Sequence, residues 1–300
     1  MEGILPYVVT VLIVVGIYAL FALGLNLQWG FAGLINFGHI AFMAIGAYTM
    51  VILNLYGVHW ALAMLIGLAV AGGAGALLTI PAIRLKADYL AILTIGFSEI
   101  MRYFFLSEGW LTGGAGGLIG FSRPLESIVP VEHYDLFLLG LIWGIVLIAF
   151  IALQRLAKSP WGRALKSIRE DEDVAKVLGK NVSAYKMQAF FLGSALAGLA
   201  GMMMAFYHSY VNPYYFYPIE TFYAWIIVIL GGSANNRGTI LGALILVGVF
   251  LTGTRFLGPL VPLDAYTFAQ LRMALIGVLL IVLMLYRPQG MLGNRRELTF

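Results

Sequence analysis

The sequence predicts an all-α fold: a polytopic helical membrane protein with about nine transmembrane helices, within a range of about 8–10. Charged residues make up 11% of the 300 residues, far below the roughly one quarter that is usual in soluble domains. The mean hydropathy is +0.93, and apolar windows of about 20 residues recur, each long enough to cross ~30 Å of hydrocarbon. The alternating ten-residue segments typical of a membrane β-barrel do not occur in the sequence.

The first predicted span covers about residues 7–27, with no basic segment before it and no small-residue cleavage site after it. It is therefore expected to be a retained helix and not a signal peptide. The following run, 28–38, contains three glycines beside Asn36. At membrane depth such a run predicts a broken helix or a re-entrant turn, whose backbone must be covered by protein or by water.

Eight further apolar segments follow. The third span carries small residues that permit close helix packing, and the sixth is also rich in small residues. The predicted segments cover about 40–53, 61–83, 89–106, 136–153, 187–207, 219–230, 239–251 and 268–286. No change in composition marks a domain boundary, so residues 1–300 are expected to form a single transmembrane domain.

Basic residues concentrate in alternate loops, whereas the intervening loops are acidic or aromatic. The basic loops are 84–86, 154–186, 237 and 287–296. By the positive-inside bias this pattern predicts a multi-pass protein of the cell inner or plasma membrane, with its N-terminus outside and its C-terminus in the cytoplasm. Because topology accounts for the basic residues, no nucleic-acid partner is implied. The chain has no cysteine, which excludes disulfides, thiol catalysis and zinc–thiolate sites.

A loop from 155 to 186 carries the longest charged run of the chain. Within it Ser167 and Glu170 have the spacing of a capping box, and Gly179 stands where a left-handed residue ends a helix. A single helix, about 17 Å long, is therefore predicted from Ile168 to Leu178. It is too short and too polar to cross a bilayer, which indicates a cytoplasmic element that docks a partner.

An apolar stripe on this predicted helix favours docking over the alternative, a solvated loop that only enforces topology. The predicted docking residues are Arg163, Ser167, Arg169, Glu170, Asp171, Glu172, Val174, Val177, Leu178 and Gly179.

Glu99 and Arg102 lie inside the fourth predicted span, three residues apart and so on one helical face. Ionisable residues within a membrane indicate function by default, here a polar patch along a substrate path or gate. The alternative is a buried pair that positions one helix against another. The sequence does not decide between these interpretations.

Several chemistries are excluded. The glycines of 113–117 are followed by no Lys-Ser or Lys-Thr, so there is no Walker A motif and no ATPase activity of the chain's own. The four histidines lack metal-binding spacing, and no Gly-x-Ser-x-Gly elbow occurs. The chain is therefore not expected to be an enzyme or to bind a cofactor or metal.

The tyrosines of 210–217 are interpreted as an interfacial aromatic belt, with contact to substrate or a soluble partner as the alternative.

Motifs spread over nearly the whole chain resemble the LivM-type permease family of branched-chain amino-acid ABC importers. They are Gly24–Gly30 (GLNLQWG), Gly38–His39, Gly46–Tyr48, Asp88–Glu99 (DYLAILTIGFSE), Thr112–Gly114, Gly162–Glu170 (GRALKSIRE), Gly179–Asn181, Gly231–Gly232 and Arg287–Gly290.

The resemblance implies a permease that works with two ABC ATPase subunits, a second homologous permease subunit and an external or periplasmic substrate-binding protein. ATP and Mg²⁺ would be bound by the ATPases, and segment 162–181 would be the coupling helix. The implied substrates are leucine, isoleucine, valine or related amino acids, with short amides or urea in some relatives. Alternating access driven by ATP is the implied mechanism.

Ends of broken helices present amides and carbonyls that suit a zwitterion. The predicted translocation path comprises Asn26, Gly30, Asn36, His39, Thr94, Glu99 and Arg102. The alternative function is a stand-alone secondary transporter, coupled to protons through Glu99 or His39. It predicts transport by this chain alone, whereas the importer predicts inactivity without ATPase partners.

Overall fold

The computed structural model describes residues 4–82, 87–252, 265–286 and 289–293. A helical segment coincides with every predicted span. The helices are α1 (Ile4–Leu25), α2 (His39–Leu55), α3 (Trp60–Ala82), α4 (Ala87–Ser107), α5 (Gly109–Thr112), α6 (Tyr134–Lys158), α7 (Pro160–Glu170), α8 (Glu172–Val177), α9 (Val182–His208), α10 (Ile219–Gly231), α11 (Asn236–Ala243) and α12 (Ala265–Tyr286). The predicted basic loop 84–86 and the arginines at 287, 295 and 296 lie outside the described residues.

Five helical segments within the described ranges are long and apolar enough to cross a membrane. They are Leu5–Phe31, Trp60–Pro81, Tyr89–Ser107, Val131–Lys158 and Val182–His208. Two shorter apolar helical segments are His39–Leu55 and Asn236–Thr252. The predicted all-α polytopic fold is confirmed, and the exact number of crossings stays a prediction.

α9 packs against α1, α2 and α3. Small residues make these contacts close: a Cβ added to Gly46 of α2 would stand 2.4 Å from the Cα of Gly198 in α9. A Cβ added to Gly24 of α1 would stand 2.5 Å from the carbonyl oxygen of Gly193. Backbones that approach this closely permit dense packing between apolar helices. α9 therefore forms one wall of the polar region where α1 is interrupted.

Within the part of the chain that the structure describes, one short antiparallel pair of strands departs from the helical pattern. β1 (Leu118–Ile119) pairs with β2 (Tyr210–Val211). The hydroxyl of Tyr210 also donates to the carbonyl oxygen of Gly116 at 2.8 Å. This tyrosine therefore joins two connecting loops, while Tyr214 and Tyr217 of the same cluster are exposed. The interpretation of the cluster as a membrane belt stays a prediction.

The predicted single helix in the charged segment is wrong, because α7 and α8 are two helices that meet at Asp171. Ser159 caps α7, accepting from the amide of Gly162 at 3.3 Å, and Pro160 occupies the first turn. A serine cap followed by proline strongly favours the start of a helix. α7 therefore starts at Pro160, eight residues before the predicted start at Ile168. Ser167 consequently lies inside α7, where its hydroxyl donates to the carbonyl oxygen of Ala164 at 2.8 Å.

Asp171 adopts an extended conformation, with φ of −153° and ψ of 109°. Its carboxylate accepts from the amides of Asp173 and Val174, both at 2.9 Å, and so begins α8. An aspartate at this position satisfies two amides that would otherwise lack partners. Gly179 has φ of +76°, which confirms it as the left-handed residue after the helix.

Candidate functional site

The first membrane helix is broken as predicted. α1 continues as a π-helix over Asn26–Phe31, and irregular backbone follows until α2 begins at His39. Asn36 of the irregular part donates to Oε1 of Gln28 at 2.8 Å. Gln28 in turn donates to the hydroxyl of Ser194 at 3.1 Å and to the carbonyl oxygen of Phe190 at 3.2 Å, both on α9. The break is therefore tied to α9 by a chain of buried amide groups.

His39 closes this chain on its other side. Its Nε2 lies 3.1 Å from the carbonyl oxygen of Phe21, and its Nδ1 lies 3.4 Å from Nδ2 of Asn36. A neutral imidazole with its proton on Nε2 serves both contacts, as donor and acceptor respectively; this tautomer is assigned from the partners. The ring also stacks on Phe21 with centroids 4.8 Å apart. His39 therefore fixes the start of α2 against α1.

α4 and α10 hold the irregular backbone in place. The hydroxyl of Thr94 in α4 accepts from the amide of Phe37 at 3.1 Å. Gly38 lies so close to α4 that an added Cβ would stand 1.9 Å from the carbonyl oxygen of Thr94. From α10, Nε1 of Trp225 donates to the carbonyl oxygen of Asn36 at 3.1 Å. Both sides of the break are therefore covered by protein.

A second contact ties the π-helix to the turn before α11. Asn26 donates to Oδ1 of Asn236 at 3.0 Å and accepts from the amide of Ala234 at 3.0 Å. Gly30 packs beside them, since an added Cβ would stand 2.6 Å from the amide nitrogen of Ala234. Asn236, to which the sequence assigned no role, is thus a partner of the broken helix.

The structure brings five residues of the predicted path into these two neighbouring contacts: Asn26, Gly30, Asn36, His39 and Thr94. All five are buried, and each of the four polar side chains has a hydrogen-bond partner within the chain. This is the geometry of an internal support that fixes the break. A direct role of these residues in translocation stays a prediction.

Glu99 and Arg102 form a separate pair. Nη2 of Arg102 lies 2.6 Å from Oε2 of Glu99, within one helix. The guanidinium also lies over the rings of Tyr103 and Tyr217, with centroid distances of 4.6 and 5.1 Å. The Glu99 side chain is 34% exposed and that of Arg102 12%. The carboxylate is therefore partly exposed, and the contact of Arg102 with Tyr217 joins α4 to the loop before α10.

Sequence reasoning missed a second intramembrane acid. Glu220, in the first turn of α10, accepts a hydrogen bond from the hydroxyl of Tyr18 in α1. The sequence does contain a signal for this residue. Glu220 stands inside the predicted span 219–230, and an acid within a membrane span indicates a specific role. Gln28 was missed as well, although it begins the glycine-rich run that the sequence singled out.

The predicted docking residues divide into two groups. Ser167, Arg169 and Glu172 are half-buried, and the others are exposed: Arg163, Glu170, Asp171, Val174, Val177, Leu178 and Gly179. Val174, Val177 and Leu178 are 54%, 88% and 70% exposed. Beneath them Ile168 and Ala175 are buried in a small cluster that seats α8 against the start of α9. The apolar stripe predicted from sequence therefore faces away from the bundle.

One ion pair holds α8 to α9, and a second lies within α8. Oε2 of Glu172 lies 2.5 Å from Nζ of Lys186, and Oε1 lies 3.2 Å from Nζ of Lys176. Partial burial acts to raise the pKa of the Glu172 carboxyl, but hydrogen bonds and charge from the two lysines outweigh it, so the pKa is lowered. On the neighbouring helix, Arg169 donates from Nη1 to the carbonyl oxygen of Gly30. The docking surface is thereby connected to the broken helix.

These features define a class: a multi-pass helical membrane protein with a helix broken inside the bundle and a small helical element outside it. The family model of the branched-chain amino acid transport system permease component matches residues 7–284. The chain belongs to this family. No solved structure matches it.

The related proteins agree with this assignment. The chain is 35% identical to the high-affinity branched-chain amino acid transport system permease protein LivM of Salmonella typhimurium, over 93% of this chain and 68% of that protein. Its identity to LivM of Escherichia coli is 34%, with the same coverage. It is also 27% identical to the permease protein LivH of Salmonella typhimurium, over 92% of this chain and 91% of that protein.

Proposed function

We propose that this chain is the permease subunit of an ABC importer for branched-chain or related amino acids. An external binding protein delivers the substrate, and the chain passes it across the membrane by alternating access. Two separate ATPase subunits bind ATP and Mg²⁺ and drive the cycle, so this chain binds no cofactor and hydrolyses nothing. Its N-terminus is outside the cell and its C-terminus is in the cytoplasm, together with α7 and α8.

The exposed surface of α7 and α8 is the observation that carries this proposal. Three aliphatic side chains there are more than half exposed, on helices whose other face is packed and ion-paired to the bundle. An apolar patch on a rigid, polar-rimmed support suits a protein partner. Movement of that partner would shift α7, and the hydrogen bond from Arg169 to Gly30 would transmit the shift to the broken helix in the membrane domain.

The similarity to both LivM and LivH supports a second permease subunit. Those two relatives are named as permease proteins of the same kind of transport system, and this chain is related to each along nearly its whole length. A pair of homologous subunits, one like each relative, is the simplest core that follows from this.

Glu99 and Arg102 are the residues we assign to the substrate path. They present a carboxylate and a guanidinium side by side on α4, and the space beside the nearby Gly96 is open. Such a pair complements the two charges of a zwitterion. The half-exposed surface of α4 would then line a path between this subunit and its partner.

Reconstitution with a LivH-type permease, two ATPases and a binding protein tests the proposal. We expect uptake of labelled leucine that requires ATP, and we expect Val174→Asp/Val177→Asp to abolish both uptake and co-purification of the ATPases. The matched control is Val131→Asp, which changes a valine that is 86% exposed in the loop before α6 and is expected to leave ATPase binding intact. Leucine uptake by the chain alone, driven by a proton gradient, would overturn the importer and establish the secondary transporter.

A further inference from the structure

We propose that a cavity beside α7 binds a phosphate group carried by a small molecule or a lipid. The cavity has a volume of about 390 Å³ and lies between the end of α6, the middle of α7 and the turn at 233–237. This volume falls in the range of about 300–1,000 Å³ that is usual for small-molecule sites. The inference concerns binding only and does not rest on the transport function proposed above.

Among the residues that the structure describes, three cations and no carboxylate line the cavity. Lys158, Lys166 and Arg237 come from three different elements and converge on it. Lys158 and Arg237 form no ion pair with any residue that the structure describes. Nζ of Lys166 lies 5.7 Å from the ring centroid of Phe31. Like charges gathered around a concave surface repel one another, and a bound anion relieves that repulsion.

The uncharged lining favours a phosphate over a simple inorganic ion. The side-chain amides of Gln154, Asn235 and Asn236 also line the cavity. Nδ2 of Asn235 donates to the carbonyl oxygen of Leu292 and Nδ2 of Asn236 to Oε1 of Gln154, so Nε2 of Gln154 is the amide donor that adds to the cations. Arginine and lysine are the usual protein partners of phosphate oxygens. Most of the remaining lining is apolar, with Phe31 and Leu292 among it, and therefore suits the carbon part of a phosphate ester.

The phosphate group could belong to either of two kinds of ligand, an anionic lipid or a soluble compound. The cavity lies at the end of the bundle that bears α7 and α8, where basic pockets between membrane helices recognise the head groups of anionic lipids. A soluble phosphate compound would use the same donors. The two sources are told apart by comparing phosphatidylglycerol with inorganic phosphate.

Full-length protein purified in detergent is titrated with phosphatidylglycerol, phosphatidylcholine or inorganic phosphate, and adducts are counted by native mass spectrometry. We expect Lys158→Gln/Arg237→Gln to weaken binding of the preferred phosphate ligand about tenfold or more, because two charge-assisted contacts are lost. The matched control, Arg155→Gln/Lys180→Gln, removes two exposed cations that do not line the cavity and is expected to bind normally.

Binding of phosphatidylglycerol, with neither phosphatidylcholine nor inorganic phosphate competing, assigns the site to a lipid head group. Binding of inorganic phosphate that displaces phosphatidylglycerol assigns it to a soluble compound. Equal loss in the cavity variant and the control, or no phosphate binding by the wild-type protein, overturns the proposal. Should the glutamine variant misfold, Lys158→Arg/Arg237→Lys must retain binding, and wild-type binding must weaken as salt is raised.

Discussion

Arg169, in the last turn of α7, donates a hydrogen bond from Nη1 to the carbonyl oxygen of Gly30, 139 positions earlier in the sequence. Gly33, with φ of +70°, packs on the same side chain, since an added Cβ would stand 3.0 Å from its Cγ. A guanidinium is a rigid, planar donor, and it fixes the orientation of a carbonyl better than a flexible ammonium does. Arg169 therefore joins the last turn of α7 to the break in the first membrane helix.

Replacing Arg169 with methionine is expected to uncouple ATP hydrolysis from transport. A hydrogen bond to a charged group contributes about 1.5–3 kcal/mol, so loss of this contact should lower leucine uptake at least about tenfold. The ATPases should still bind, because the aliphatic docking surface is unchanged. Uptake and ATP hydrolysis are measured together in the reconstituted complex.

The control for this prediction is Arg155→Met, in the last turn of α6. Arg155 is exposed and is not one of the predicted docking residues. Its replacement should leave the ratio of uptake to hydrolysis unchanged. If both variants lower that ratio equally, the contact between Arg169 and Gly30 has no special part in coupling.

Gly38→Ala is expected to destabilise the protein. The φ of Gly38 is −100°, which alanine adopts without strain, so the whole effect is steric. The added methyl group would stand 1.9 Å from the carbonyl oxygen of Thr94. Overpacking of this kind costs about 1–3 kcal/mol, which should lower the thermal unfolding midpoint of the purified protein by several degrees.

Gly96→Ala, in the same region of α4, is the matched control, because an added Cβ there meets nothing within 4 Å. Its midpoint should equal or exceed that of the wild type, since alanine is the better helix former. A midpoint for Gly38→Ala equal to that of the control would mean that α2 and α4 are not in contact at the break.

Gln28→Met is expected to weaken the buried amide chain. Methionine has a similar length but cannot accept the hydrogen bond from Asn36 or donate one to Ser194. Leaving a buried donor without a partner costs about 1–3 kcal/mol, again measurable as a lower unfolding midpoint. Gln188→Met is the control: its amide accepts from the Trp161 indole at an exposed position, where substitutions usually change stability by less than about 0.5 kcal/mol.

The sequence located the helices well because each apolar segment carries its own signal along the chain. The start of the docking element was predicted at the wrong residue because the sequence contains two start signals, Ser159 with Pro160 and Ser167 with Glu170. The packing of the turn between them decides which signal begins the helix. Gln28 and Glu220 were missed for another reason. Their partners Ser194 and Tyr18 lie 166 and 202 positions away, and a single sequence does not reveal which helices are neighbours.

Acidification is expected to loosen α8 from α9 through Glu172. Its pKa in the folded protein lies below the ordinary value of 4.5 because of Lys186 and Lys176. A lowered folded pKa means that the stabilisation is complete above the unfolded pKa and is lost as pH falls through the folded pKa. The attachment should therefore be intact at pH 6 and above, and should weaken below about pH 4.5.

Hydrogen exchange of the amides in α8, followed by mass spectrometry from about pH 6 down to pH 3.5 after correction for the intrinsic rate, measures this loosening. Wild-type protection should fall in the acid range. Glu172→Gln should show, at every pH, the reduced protection that the wild type shows only in acid. Its neutral amide keeps a hydrogen bond to Lys186 but loses the charge. Glu170→Gln, at an exposed position at the end of α7 and outside the ion pairs of Lys176 and Lys186, should behave as the wild type. Acid loosening that persists unchanged in Glu172→Gln would assign the titration to another carboxylate and remove Glu172 as the group that seats the docking surface.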